Sequence, residues 1–514
     1  MKKSVLFICA DQWRWDCFGF MKHKNAVTPN LDELAKKSTV FKSHFAGIVP
    51  CGPARTTMLT GLYPFIHRSV GNGIPLDKRF TNIAKEVRRV GYDPKLFGHT
   101  DTTWDPRNLK DDDEKKFTYE SPMEGFDPVC HLTEGDQSKW KEHLKSKGYP
   151  YLKSKGYPYS LYQRENPKKG TGYIYKAWDI PTEDSDTSFL ASQVIENLKN
   201  VKSPFFFHVS FFRPHPPIFV SEPWHSLINP SDVEIPHENF DYEEMSKHHP
   251  LLIELTKRYV NEKNYSEIRY NELTNQDKQN IIAVYLGMCA EVDHNIGKII
   301  GSLKENNLDE DTLIIFTSDH GEMLGENKMW DKFGWMDSAY RIPLIIHDPN
   351  LKPQVILNFT ESVDLAPTII EWIGSDVPIN WSGQSLLEYM KNGNDPLAKK
   401  YVIFEFDFRA SFLTTFVKNK VLSPEECNFI GIRNSKWKYI HFPSLPPLLF
   451  DLENDPYEMK NLANNKKYTK IINDLLSQLI SHRILHQDRQ LSSLHISKDG
   501  VSSNYGPPSR KLIN

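Results

Sequence analysis

Val49-Pro-Cys-Gly-Pro-Ala-Arg-Thr-Thr-Met-Leu-Thr-Gly-Leu-Tyr63 sets a cysteine, a proline and an arginine in fixed spacing at the mouth of an expected helix. Pro53 suits the first helical turn, where a missing N–H costs nothing, and Thr56 to Leu62 then carry apolar residues at helical spacing. Cys51 therefore falls where free backbone N–H groups face an anion. On residue type alone, a buried structural cysteine ahead of a helix is the competing reading.

Two other stretches end the same way. Ser4 to Ala10 is an apolar, β-rich run that ends in Asp11, as when a parallel strand delivers a ligand at its carboxyl end. Asp11 and Gln12 offer oxygen atoms suited to Ca²⁺, Mg²⁺ or Mn²⁺, although an Asp after a strand also serves as a turn residue. Asp311-Thr-Leu-Ile-Ile-Phe-Thr-Ser-Asp-His-Gly-Glu322 repeats the pattern, so Asp319 and His320 complete a mixed oxygen and nitrogen metal site. Pro204 to Phe212 reads as a buried strand leading into Arg213-Pro-His-Pro-Pro217, where flanking prolines hold His215 rigidly.

Between these stretches lies scaffold. Pro29 and Asn30 open a helix with Leu31, Leu34 and Ala35 on one face, and helices are expected over 82–90, 186–199 and 280–305. Asp293 in the last of these reads as structural. A strand around Lys95 to Phe97 leads into the loop 98–107. Residues 108–185 read as an irregular insertion, with the perfect tandem copy 144–159 as a duplication too short to make a solenoid. From about Lys399 shorter alternating runs suit a small antiparallel sheet with one covered face, then a helix over 467–483 and a polar tail from Asp488 that reads as an arm. The expected division is a catalytic domain over 1–398 and a small α+β unit over 399–514, in keeping with a chain of 514 residues.

Composition narrows the function. Net charge is −3, from 63 basic and 66 acidic residues, so no overall field favours nucleic acid or an anionic membrane. The six cysteines form neither CxxC pairs nor a disulfide framework, which fits a reducing, cytoplasmic setting. The basic, apolar start mimics a signal peptide but passes straight into Asp11-Gln-Trp-Arg14 and reads better as a buried strand.

The Cys51 stretch resembles the sulfatase signature, Cys-x-Pro/Ser-x-Arg with a Leu-Thr-Gly-x-Tyr tail, of the alkaline-phosphatase-like superfamily. Thr28-Pro-Asn-Leu-Asp-Glu-Leu-Ala35, the Asp-His-Gly at 319–321 and Leu449-Phe-Asp-Leu-Glu-Asn-Asp-Pro-Tyr-Glu458 resemble further family segments. The resemblance implies an α/β fold with a large, mostly parallel central sheet flanked by helices and a smaller C-terminal antiparallel sheet. It also implies that Cys51 is oxidised to Cα-formylglycine by a formylglycine-generating or other maturation enzyme. One hydroxyl of the aldehyde hydrate attacks phosphorus or sulfur and expels the alcohol; the second then loses its proton, and the hemiacetal collapses to release the acid. One divalent ion, Mn²⁺ or Ca²⁺, is expected on Asp11, Gln12, residue 51, Asp319 and His320. Arg55, His215 and Lys332 take catalytic roles.

Ordinary sulfatases carry Gly-Lys-Trp-His-x-Gly where this chain has Gly98-His-Thr-Asp-Thr-Thr-Trp-Asp-Pro-Arg107. That loop, with Asn72 in Gly71-Asn-Gly-Ile-Pro-Leu-Asp77, resembles instead the phosphonate monoester hydrolase branch, which also takes phosphodiesters and, more weakly, aryl sulfates. Asn72, His99 and Asp101 then become substrate-binding positions, with His99 and Asp101 standing where the branch has Tyr and Thr. The expected function is hydrolysis of phosphonate monoesters and phosphodiesters by a homo-oligomer, a dimer or tetramer, acting on a small anionic ester. An arylsulfatase is the alternative, followed by a catalytically silent binding protein of the same fold and by an interaction protein built around the 144–159 repeat.

Overall fold

The first strand, β1 (Ser4–Ala10), is buried along its whole length because apolar layers cover both its faces. Side chains alternate across a strand, so Leu6, Ile8 and Ala10 enter one layer and Val5, Phe7 and Cys9 the other. The helices Pro29–Lys36, Asp186–Asn200 and Asn275–Glu305 close the first layer. Cys51–Thr60, Ile83–Arg89 and Leu365–Trp372 close the second. This is a computed structural model, and it describes residues 3–149, 175–237, 249–256, 270–409, 422–492 and 494–503.

β1 belongs to an eight-stranded sheet with β2 (Thr39–Phe45), β4 (Pro94–Gly98), β5 (Asp127–His131), β6 (Phe206–Phe211), β7 (Thr312–Thr317), β8 (Arg341–His347) and β9 (Gln354–Glu361), in the order β5-β4-β6-β1-β7-β8-β2-β9. β8 pairs antiparallel with both β7 and β2, and the other pairings are parallel. The expected α/β fold with a mostly parallel central sheet is therefore present. Its consequence for function is positional. The adjacent strands β4, β6, β1 and β7 all end at one edge, and His99, Phe212, Asp11 and Asp319 follow their last residues closely.

A second sheet holds β10 (Val402–Asp407), β11 (Asn428–Arg433), β12 (Trp437–His441) and β13 (Leu448–Asp451) in antiparallel pairing. β3 (Ile48–Val49) adds to its edge in parallel, Ile48 opposite Glu405 and Val49 opposite Phe406. This sheet was expected to have one covered face, but both are covered. Phe404, Phe406 and Phe429 pack with Trp335 and Tyr340, while Ile403, Ile432 and Leu449 meet Leu475 and Leu479 of the helix Thr469–Leu485. In β10, Val402, Phe404 and Phe406 face one apolar layer, while the other side carries Ile403 together with the buried Glu405 and Asp407, so the alternation is not one between core and solvent.

The stretch 108–185 is more regular than expected. It supplies β5 at the sheet edge and the helix Ser138–Ser146, whose Trp140 and Leu144 are buried one turn apart in the first layer. Of the tandem copy, residues 150–159 lie outside the described residues. Asp293 accepts from the backbone N–H groups of Asn30, at 3.1 Å, and Leu31, at 2.7 Å, and so satisfies open donors at the start of the Pro29–Lys36 helix. In the tail, β14 (Leu494–Ser497) and β15 (Gly500–Ser503) pair as an exposed hairpin. Among the described residues, no helix is long and apolar enough to cross a membrane.

Candidate active site

Cys51 is the first residue of its helix, after Pro50, and only 5% of its surface is exposed. Two constraints fix it there. Behind it, β3 is tied into the small sheet; ahead, the Gly52 N–H donates to Asn72 Oδ1 at 2.9 Å. Gly52 is required by space, because a Cβ there would lie 2.9 Å from both Asn72 Oδ1 and the Asp101 carbonyl oxygen. Asn72, expected from sequence to contact substrate, lines the cavity and holds the helix mouth.

The Cys51 Sγ lies 3.1 Å from His320 Nε2 and 3.9 Å from Asp11 Oδ1. The His320 Nδ1–H donates to the Gly321 carbonyl at 3.0 Å, which leaves Nε2 as the nitrogen facing residue 51. Asp11, Cys51, Asp319 and His320 each offer one ligand atom within 4.8 Å of the others, and all four are buried. Two carboxylates and one imidazole beside position 51 form a donor set that fits a divalent cation. Burial, followed by the Asp11 charge, pushes the Cys51 thiol well above its usual range. As a plain cysteine it is therefore protonated and a poor nucleophile.

Arg55 lies behind this cluster, shut off from solvent. Its Nη2 is 3.0 Å from Asp11 Oδ2, its Nε 3.0 Å from Asp319 Oδ2, and its Nη1 donates to Ser210 Oγ at 2.6 Å. The fork is used up on protein groups and does not line the cavity. Gln12, with φ of 63°, donates its backbone N–H to Asp319 Oδ1 at 3.1 Å. Its side-chain oxygen accepts from Lys332 Nζ at 2.5 Å and its amide donates to Glu322.

Lys332 Nζ also lies 3.1 Å from His215 Nε2, and His215 Nδ1–H donates to the Pro216 carbonyl at 2.6 Å. Burial and then the Lys332 charge lower His215 to about 4, so the imidazole is neutral at neutral pH. Burial opposes the Lys332 ammonium, but the Asp331 carboxylate and then Asp11 raise its pKa and keep it protonated.

A cavity of about 230 Å³ opens onto Asp11, Cys51, Asn72, His99, Asp101, His215 and Lys332. Gln12, Arg55, Asp319 and His320 stand behind it. Tyr119, Glu120, Phe212, Phe333, Phe406 and Asp407 also line it and were not found from sequence. The residues from β10 and from the 108–185 stretch carry no local signal of their place here. Glu322, beside the Asp-His-Gly turn, was visible but given no role; burial, then Asp331, pushes its carboxyl up to about 7.

With this geometry in place, comparison with known proteins defines the class. The family model described as Sulfatase matches residues 3–375, and that of the N-sulphoglucosamine sulphohydrolase C-terminal region matches 325–484. The chain belongs to the sulfatase family and is an ester hydrolase of the alkaline phosphatase superfamily.

Within that class, it is 34% identical to the multifunctional alkaline phosphatase superfamily protein PehA of Trinickia caryophylli, across 98% of this chain and 99% of the relative. Among solved structures, the phosphonate monoester hydrolase of Agrobacterium radiobacter matches with a TM-score of 0.91 at 37% identity, covering 98% of this chain and 100% of that one. The phosphonate monoester hydrolase of Silicibacter pomeroyi matches with a TM-score of 0.88 at 32% identity, covering 98% and 99%.

Proposed function

We propose that this ester hydrolase cleaves phosphonate monoesters and phosphodiesters, with sulfate esters as secondary substrates, and that residue 51 acts in its formylglycine state. The observation that carries the reading is the approach of Cys51 Sγ to His320 Nε2, 3.1 Å, at the mouth of the cavity's helix. Asp11, Asp319, His320 and residue 51 would hold one divalent ion, Mn²⁺ or Ca²⁺, with the Gln12 side chain beside them. Such an ion supplies Lewis acidity and lowers the pKa of a hydroxyl.

The chain's own residues do the rest. Arg55 orients the Asp11 and Asp319 carboxylates and is a positioning residue. Lys332, kept protonated, offers N–H donors to the non-bridging oxygens of the ester. His215, neutral and tethered through Nδ1, keeps Nε2 on Lys332, so the pair can hold a proton for the departing oxygen. Asn72 keeps the helix mouth in place and faces the same cavity. Six unpaired, buried cysteines support a reducing, cytoplasmic setting.

Two measurements test the proposal. Mass spectrometry of the peptide containing position 51 should show the aldehyde form, and kcat/KM should rank aryl phosphonate and phosphodiester above the matched aryl sulfate. Membership of the sulfatase family favours an arylsulfatase as the second reading, and a clear lead for sulfate would establish it.

A further inference from the structure

The two oxygens of Asp11 look in different directions. Oδ1 faces Cys51 Sγ at 3.9 Å and His320 Nε2 at 3.7 Å, whereas Oδ2 faces His99 Nε2 at 3.2 Å. His99 Nε2 lies 3.9 Å from Asp101 Oδ2, and Asp11, His99 and Asp101 each present one ligand atom within 4.8 Å of the others. All three line the cavity. His99 is 1% exposed, and its Nδ1 has no hydrogen-bond partner.

Asp101 poses an electrostatic problem. A carboxylate on the wall of a cavity that receives an anionic ester repels the ligand, and Arg55, whose Nε is 3.8 Å away, is already committed to Asp319 through that Nε and to Asp11 through Nη2. A bound cation would turn that wall attractive.

We propose that Asp11, His99 and Asp101 form a second divalent-cation site, joined to the first through the Asp11 carboxylate. This rests on the first site proposed above. Two carboxylates and one imidazole suit a divalent ion such as Mn²⁺ or Zn²⁺. Carboxylate-bridged pairs of this kind hold ions about 3.5–4 Å apart and clamp two oxygens of one ester. The Arg55 guanidinium opposes the second ion, so that ion binds more weakly than the first and more tightly when an anionic ester or its product shares the cavity.

The test uses metal-depleted full-length protein and Mn²⁺ as the probe, read by calorimetry and by electron paramagnetic resonance. Wild type should bind two equivalents and give an exchange-coupled spectrum at saturation. Asp101→Asn and His99→Gln should each bind one equivalent with no coupling; asparagine tolerates the left-handed backbone at 101, where φ is 47°. One equivalent in wild type, or two that persist in both variants, overturns the second site. Asp319→Asn reports on the first site separately, because it should lose the other ion.

Discussion

Arg55 Nε lies 3.0 Å from Asp319 Oδ2, and neither side chain is reached by solvent. The same guanidinium holds Asp11, so removing it strands two buried carboxylates at once. Arg55→Met should destabilise the fold by about 3–5 kcal/mol in urea unfolding and weaken binding of the first Mn²⁺, the one held with Asp319, about 10–100-fold. An unchanged metal affinity would show that the arginine does not orient the ligands.

Metal binding should itself stabilise the chain. At a free Mn²⁺ concentration one hundred times Kd, one site contributes about 2.7 kcal/mol, seen as a rise in Tm that a chelator reverses. Asp319→Asn should abolish most of that rise.

Gly52 tests how tightly the helix mouth is seated. Gly52→Ala forces its methyl against Asn72 and the Asp101 carbonyl, displacing residue 51 relative to His320. A shift near 1 Å costs about 100-fold in rate. The expected result is a kcat loss of that order with a much smaller change in Tm.

Acid should weaken the fold through His67. Its Nδ1 accepts from the Ser69 N–H at 3.1 Å and its Nε2 donates to Thr57 Oγ1 at 3.0 Å, so both nitrogens are committed in the neutral ring. Burial, then Arg68, lowers its pKa from 6.5 to about 3. The unfolded chain therefore takes up the proton first as pH falls. Stability from this group is complete above pH 6.5 and is lost progressively toward pH 3. Between pH 7 and pH 5 the loss is about 2 kcal/mol, and His67→Gln should reduce the pH dependence of urea unfolding by that amount.

Much of the site was legible because its residues follow strands. Apolar runs ending in Asp11 and in Asp319-His320 announce a shared sheet edge, and the helix after Cys51 follows from Pro53 and its spacing. Arg55 was assigned a direct part in the chemistry, but its partners, Asp11, Asp319 and Ser210, come from three strand segments and could not be read locally. Trp140 and Leu144 sit in a polar stretch where two apolar residues are too few to reveal a helix packed on the core. Phe406 and Asp407 reach the cavity only because β10 pairs with β3, and two residues of β3 carry no periodicity.

That short pairing couples the ends of the chain. Ile48 and Val49 are fastened by a strand made far downstream, so a protein cut near residue 399 would keep every proposed ligand and still lose the anchor just ahead of its reactive position. The C-terminal unit is therefore part of the catalytic apparatus in a mechanical sense. Deletions meant to isolate the larger region should leave a polypeptide whose metal ligands remain but whose helix mouth no longer keeps its register.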